Sequence, residues 1–164
     1  FSAKRRELAE LMGADEIVDP SVTSPYSTWE EQAVFGLDGK LMPSDPIAGQ
    51  KFRQGVIFEC VGIPGVIDQI MVGAQRNCRI IVVGVCMQPD QIRPLVAINK
   101  ELSLQFVLAY KPEEFAETLT NIAEGDIDVE PLITGTVGLS GVAEAFEDLA
   151  NPEVHAKILV DPTL

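Results

Sequence analysis

The sequence predicts an α/β protein with a doubly wound, mostly parallel sheet, and three observations carry that reading. Two apolar runs of strand length, Phe58-Glu59-Cys60-Val61-Gly62 and Arg79-Ile80-Ile81-Val82-Val83-Gly84-Val85, each hold a Gly at or near their end. Between them, Pro64 to Ala74 carries Val66, Ile67, Ile70 and Met71 at helical spacing. Strand, helix, strand in that order is a βαβ unit, whose crossover brings the second strand back parallel to the first. Helical and strand patterns also alternate through most of the remaining chain, as layers of helices on both faces of a sheet require. Gly at a strand end lets the backbone approach something closely at the carboxyl edge, where open α/β sheets bind ligands.

Taken in order, Lys4 to Met12 reads as a helix with Leu8, Leu11 and Met12 on one face and Gly13 as its stop. Ala14 to Val18 reads as a short strand ending at Asp19-Pro20. Residues 20–54 are the least regular, rich in Pro, Ser and Gly, and are expected to be an insertion. Inside them, Thr28 and Glu31 have capping-box spacing and start a short helix through Phe35, while 36–54 reads as a surface excursion. The βαβ unit spans Val56 to Val85. Met87 to Pro94 is loop-like, Leu95 to Ile98 reads as a brief strand, and Leu102 to Leu108 alternates as another. Pro112 opens an amphipathic helix carrying Phe115, Leu119 and Ile122, with Glu113 and Glu114 at its positive end and Gly125 closing it. Ser140 is expected to cap a helix bearing Val142, Phe146 and Leu149. Lys157 to Val160 is a last strand. The alternation opens on a helix where a strand should come first, so the chain is expected to begin partway through a domain.

At 164 residues the chain has the length of one domain. Its formal net charge of -13 excludes nucleic acid or an anionic membrane as the main partner, since both need a basic surface. No apolar stretch reaches membrane-spanning length, and the opening Phe1-Ser2-Ala3-Lys4-Arg5-Arg6 lacks the apolar core of a signal peptide. The three cysteines are widely spaced; Cys60 and Cys86, in or beside apparent buried strands, read as small apolar residues of a reducing compartment. A metal centre would favour a close Cys pair with His nearby, and the one His, His155, is distant, so no metal site is expected within this chain. The cytoplasm is the expected location.

Several motifs, in order and spacing, carry a family likeness. They are Arg5-Arg6 before Leu8-Ala9, Met12-Gly13-Ala14-Asp15 leading to Val18-Asp19-Pro20, the two Gly-bearing strands, Pro131-Leu132-Ile133-Thr134, and Ala145-Phe146 through Lys157-Ile158-Leu159-Val160. Together they resemble the nucleotide-binding domain of the medium-chain, zinc-type alcohol dehydrogenase superfamily, nearest its butanediol and sorbitol dehydrogenase branch. The likeness covers nearly the whole chain except 20–54. It implies a Rossmann-type fold and a single partial domain over 1–164. The first strand with its Gly-rich turn, and the zinc-bearing catalytic domain, are both expected to lie outside this sequence. The implied activity is hydride transfer between an alcohol and NAD or NADP, with zinc held by the catalytic domain; the chain alone is expected to be inactive.

By the same resemblance, Arg5 matches a basic position that reaches the adenosine ribose, although a solvated helix charge explains it equally well. With NADP, Arg5 or Arg6 and Ser2 would instead meet the 2′-phosphate, and Phe1 would lie beside the adenine. Val61 and Gly62 match the strand end that passes the adenosine side. Val83, Gly84 and Val85 match the place where backbone carbonyls hold the nicotinamide carboxamide, and Phe106 and Leu108 match a second backbone contact to it; a buried apolar strand is the plain alternative. Glu59 reads as a polar strand edge or as a group supporting the site from behind it, and not as a general base; Asp15 and Asp19 read as turn residues, and His155 as a surface-loop residue. Lys157 matches a frequent family Lys without an assigned chemistry. The resemblance also implies a homodimer through the strand near Leu102 to Leu108. Two other readings stand beside it: a zinc-free quinone or enoyl reductase, and a non-catalytic dimerisation module. A methyltransferase, also doubly wound, is more distant.

Overall fold

The computed structural model describes residues 2–35, 40–46 and 49–164. The expected setting of Phe1, and the parts of the surface excursion at 36–39 and 47–48, lie outside them. In chain order the elements are α1 (Ala3–Leu11), α2 (Trp29–Ala33), β1 (Ser44–Asp45), β2 (Gly49–Gln50), β3 (Val56–Glu59), α3 (Val66–Gly73) and β4 (Arg79–Val82). There follow α4 (Pro94–Lys100), β5 (Ser103–Phe106), α5 (Pro112–Glu124), β6 (Ile133–Val137), α6 (Val142–Asp148) and β7 (Lys157–Val160). The chain divides into two compact units, residues 25–109 and residues 1–24 with 110–164.

In the unit of residues 25–109, β3, β4 and β5 form a parallel sheet in chain order. The expected βαβ unit is present. Ile67, Ile70 and Met71 recur at the spacing that puts them on one face of α3, and that face packs on Ile80 and Val82 of β4. Ile57, Val96, Ala97, Leu102 and Leu104 close around this core. Cys78, just before β4, is fully buried, and burial raises its thiol pKa. Cys60 is exposed and Cys86 half-buried. The buried apolar cysteine is therefore Cys78, because β3 ends at Glu59 and leaves Cys60 on the turn beyond it.

Two polar anchors fix the helices. Lys100 at the end of α4 donates from Nζ to the carbonyls of Val72 and Ala74, 2.5 and 2.6 Å away, so its ammonium occupies the negative end of α3. Asp68 in the first turn of α3 accepts a bidentate pair from Arg93, with Nη2 to Oδ2 at 2.6 Å. That guanidinium holds the Asp68 carboxyl below its ordinary 3.8.

The segment Leu95 to Ile98, expected as a strand, lies within α4. A four-residue apolar run is ambiguous between strand and helix. Pro94 decides it by presetting φ in the first turn, and Glu101 ends the helix at φ 53. α2 is shorter than expected, and Thr28 makes no side-chain cap. β1 and β2 form a two-residue antiparallel pair within the irregular region.

In the unit of residues 1–24 and 110–164, Ser2 caps α1 by accepting the Arg5 N–H at 3.1 Å. Gly13 stops the helix at φ +94, and the Ala14 N–H donates back to Ala9 O at 3.0 Å. This closure draws Ala14 into the helix end, and no strand ladder forms along 14–18 among the described residues. Only Leu8 of the expected apolar face of α1 is buried; Leu11 and Met12 are exposed.

The helix opened by Pro112 is present as α5, its first turn closed by the Lys111 N–H donating to Glu114 Oε2 at 2.6 Å. Its Phe115, Leu119 and Ile122 stripe is nonetheless exposed. The strand β6, which periodicity did not reveal, pairs in parallel with β7. Their register is irregular between Ile133 and Gly135, where the Thr134 hydroxyl accepts the Ala156 N–H at 2.9 Å and donates to Lys157 O at 3.1 Å. Ser140 does not cap α6: it lies inside a 3-10 turn, Leu139–Gly141, and Gly141 precedes the helix.

Replacing Met71, fully buried in the core, by Ala should lower unfolding free energy by about 2–5 kcal/mol, seen as a lower midpoint in urea at unchanged slope. A second expectation concerns acid. The folded pKa of Asp68 lies below its ordinary value, so its contribution is complete above about pH 3.8 and lost as pH falls through the depressed folded value. Thermal melts between pH 5 and pH 2 should therefore decline less steeply in Asp68→Asn than in the wild type.

Candidate active-site edge

The site is built where β3, β4 and β5 end together. Glu59 pairs in register with Val82, and Val82 with Phe106, so the residues that follow each share one carboxyl edge. Glu59 is the one buried charged residue among those described, 3% exposed. A carboxylate withdrawn from water needs hydrogen bonds to offset its desolvation, and Glu59 has them. Its Oε1 accepts the N–H groups of Val61 and Gly62 at 2.6 and 2.8 Å. Its backbone carbonyl accepts those of Val83 and Gly84 at 2.8 and 2.9 Å. One residue thus orients the backbone that leaves both strands.

The two glycines owe their identity to each other. Gly62 has φ +70, and a Cβ there would lie 2.6 Å from Val85 N and 2.9 Å from the Gly84 carbonyl carbon. A Cβ on Gly84 would strike Gly62 N and come within 2.6 Å of Glu59 Oε2. The close approach that Gly permits at these strand ends is therefore backbone against backbone. Val61, Val83 and Val85 are exposed, as are Phe106 and Leu108 on and after β5. Apolar side chains facing solvent beside ordered backbone are suited to the face of an aromatic ring.

Behind this edge, Asp90 holds the loop after β4 against the start of α3. Its Oδ1 accepts the N–H groups of Gly65 and Gln91, both at 2.8 Å, while Oδ2 is buried without a hydrogen-bond partner in the structure. Neither this tie nor the Arg93–Asp68 pair was legible in the sequence, since each spans 25 residues. Asp at the head of a helix pattern was the available signal.

Arg5 belongs to the other unit. It is exposed on α1, its Nη2 donates to His155 O at 3.3 Å, and it lines a cleft of about 380 Å³ with Lys157, Leu132 and Leu159. Arg6 pairs with Asp19 at 2.9 Å, and hydrogen bonds from Ser21 hold the Asp19 carboxyl below its usual range. Asp19 is a turn residue, as expected. His155 is half-buried in the loop before β7, with Nδ1 3.2 Å from Thr134 Oγ1 and the ring 3.3 Å from where a Gly135 Cβ would stand. Ser2 Oγ donates to Pro152 O at 3.2 Å.

The donor set does not fit zinc: among the described residues no three His, Cys, Asp or Glu side chains are grouped to hold a metal ion. At the strand-end edge the exposed side chains of Val61, Val83, Val85, Phe106 and Leu108 are apolar. No helix among the described residues is long and apolar enough to cross a membrane.

Residues 1–124 match the family model described as zinc-binding dehydrogenase. The chain belongs to that family. Among curated relatives, it is 32% identical over 111 residues to (R,R)-butanediol dehydrogenase of Neisseria gonorrhoeae, covering 66% of this chain and 31% of the relative. It is 28% identical over 97 residues to D-xylulose reductase of Morganella morganii, covering 59% and 28%. The 2R,3R-butanediol dehydrogenase structure from Bacillus subtilis superposes with a TM-score of 0.77 at 26% identity, over 99% of this chain and 42% of that one. A zinc-binding dehydrogenase structure from Sinorhizobium meliloti 1021, bound to NADP, shares the fold at TM-score 0.71 and 24% identity, over 98% and 43%. The chain spans about a third of the length of the curated relatives it matches. Its parallel α/β architecture is that of the nucleotide-binding domain of the zinc-type medium-chain dehydrogenases.

Gly62→Ala should cost about 1–3 kcal/mol, because it adds positive-φ strain to contact with the Val85 backbone. Urea denaturation compared with Gly13→Ala, where nothing lies within 4 Å of the added Cβ, separates the contact from the φ cost.

Proposed function

We propose that residues 1–164 are a partial nucleotide-binding domain of a zinc-dependent dehydrogenase that moves hydride between the alcohol carbon of a small alcohol or polyol and NAD or NADP. The observation that carries this reading is the ordered strand-end backbone at Glu59 to Gly62 and Val83 to Val85, in a chain of the zinc-binding dehydrogenase family. When bound, the nicotinamide accepts or gives the hydride. The chain's own residues orient it.

Val61 and Gly62 lie along the adenosine side, the backbone of Val83, Gly84 and Val85 meets the carboxamide, and Phe106 and Leu108 supply the second backbone contact. The exposed apolar side chains there exclude water from the ring faces. In its own unit, Arg5 presents an exposed guanidinium. Zinc would be held by residues outside this chain. The alcohol and sugar names among the relatives favour a polyol-type substrate over a quinone or enoyl group.

A homodimer accompanies this function. β5 ends the sheet order β3-β4-β5, and Phe106 and Leu108 beside it are exposed at 68% and 91%, an edge suited to pairing with a second copy. The protein is then a soluble cytoplasmic dimer.

Titration of the whole protein with NADH and NADPH, read by the change in reduced-nicotinamide fluorescence, tests the cofactor role. Saturable binding is expected, weakened roughly tenfold or more by Gly84→Val, a loss of about 1.4 kcal/mol or more. Absence of saturable binding to either nucleotide overturns the reading.

A further inference from the structure

We propose that Glu59 is the positioning residue of the nucleotide edge, acting through the two amides it holds and not on the reacting atoms. The inference rests on the cofactor reading above and deepens it. Glu59 lies at the last position of β3, in register with Val82, and its side chain turns back under the chain that follows it. One oxygen takes the N–H groups of two successive residues, Val61 and Gly62. Those two donors would otherwise point into a turn with no strand to receive them. The carbonyl of the same residue takes Val83 and Gly84, so all four amides are referred to one side chain and one peptide unit.

The other oxygen faces Gly84 closely enough that any Cβ there would collide with it. The geometry requires an acceptor at Oε1 and a small group at Oε2, at a distance from the backbone set by two methylenes. A shorter or apolar side chain loses the acceptor. Its loss frees Val61 and Gly62 to turn, and the exposed Val61 side chain moves with them. Removal of the bracket therefore acts on nucleotide affinity first, because the groups released are the ones that would line the cofactor.

Three variants of the whole protein test this: Glu59→Gln keeps an acceptor oxygen in place, Glu59→Asp shortens the reach, and Glu59→Ala removes the acceptor. Binding of NADH or NADPH by fluorescence is read beside amide hydrogen exchange at Val61 and Gly62 and the melting temperature without nucleotide. Glu59→Ala is expected to raise Kd about tenfold and to speed exchange at those two amides, with Glu59→Asp intermediate and Glu59→Gln within about twofold of wild type. A folded Glu59→Ala whose Kd is unchanged overturns the proposal. So does a Glu59→Gln loss as large as that of Glu59→Ala, which would make the charge and not the acceptor the operative property. If Glu59→Ala does not fold, Glu59→Asp decides by the same criterion. A wild type that binds neither nucleotide refutes the cofactor reading itself. A wild type that binds, with Glu59 variants that bind equally well, refutes this inference alone.

Discussion

The carboxylate of Glu59 is the constraint from which the rest of the edge follows. A charged group with 3% exposure is unfavourable unless its lone pairs are occupied, and here Oε1 holds two amides while the neighbouring carbonyl holds two more. Those four bonds bring the ends of two strands together until their backbones touch, and only Gly fits at the point of contact on either side. Loss of the side chain would leave amide donors without partners, each worth about 1–3 kcal/mol if they stayed buried. The polar bracket and the two glycines are one device.

That device stands on a packed support. The face of α3 bearing Ile67, Ile70 and Met71 rests on β4, and Asp90 ties the loop after β4 to the N–H at the head of the same helix. Lys100 occupies the other end of α3. Both ends of the helix are thus tied to residues that follow β4 in the chain, which links the helix to the strand ends. In front of the edge the side chains are apolar and exposed. Rigid backbone behind and apolar surface in front suit a planar ligand held mainly by its rings and amide.

The βαβ unit was legible because its pattern is local: four apolar residues at helical spacing between two Gly-ended runs. The paired identity of Gly62 and Gly84 was not, since each was read against an outside ligand and neither against the other. Glu59 was seen as a strand-edge carboxylate, yet its task depends on amides two and three residues ahead, which no composition rule reveals. Where a segment was short, the reading went astray. Leu95 to Ile98 is a short apolar run that a strand could also hold, but it follows a Pro that starts a helix. Ala14 to Val18 offers only Ile17 and Val18 as strand formers, and Ala14 is taken by the end of α1. The β6–β7 pairing escaped because Thr134 and Gly135 interrupt the apolar pattern where the register shifts. The stripe on α5 is plain in the sequence, and sequence periodicity says nothing of what faces it.

The order β3-β4-β5 repeats the order of the chain, and each connection is a single helix or loop. β4 and β5 therefore each find a partner in the strand made just before them. Each such pairing closes one crossover, whose entropy cost grows only slowly with its length. During synthesis, the buried core residues of α3 and β4 have all emerged once Val82 is made, and Val96, Ala97, Leu102 and Leu104 then close around them. The strand-end edge is then assembled in the direction of translation, with Glu59 already made when Val83 and Gly84 arrive.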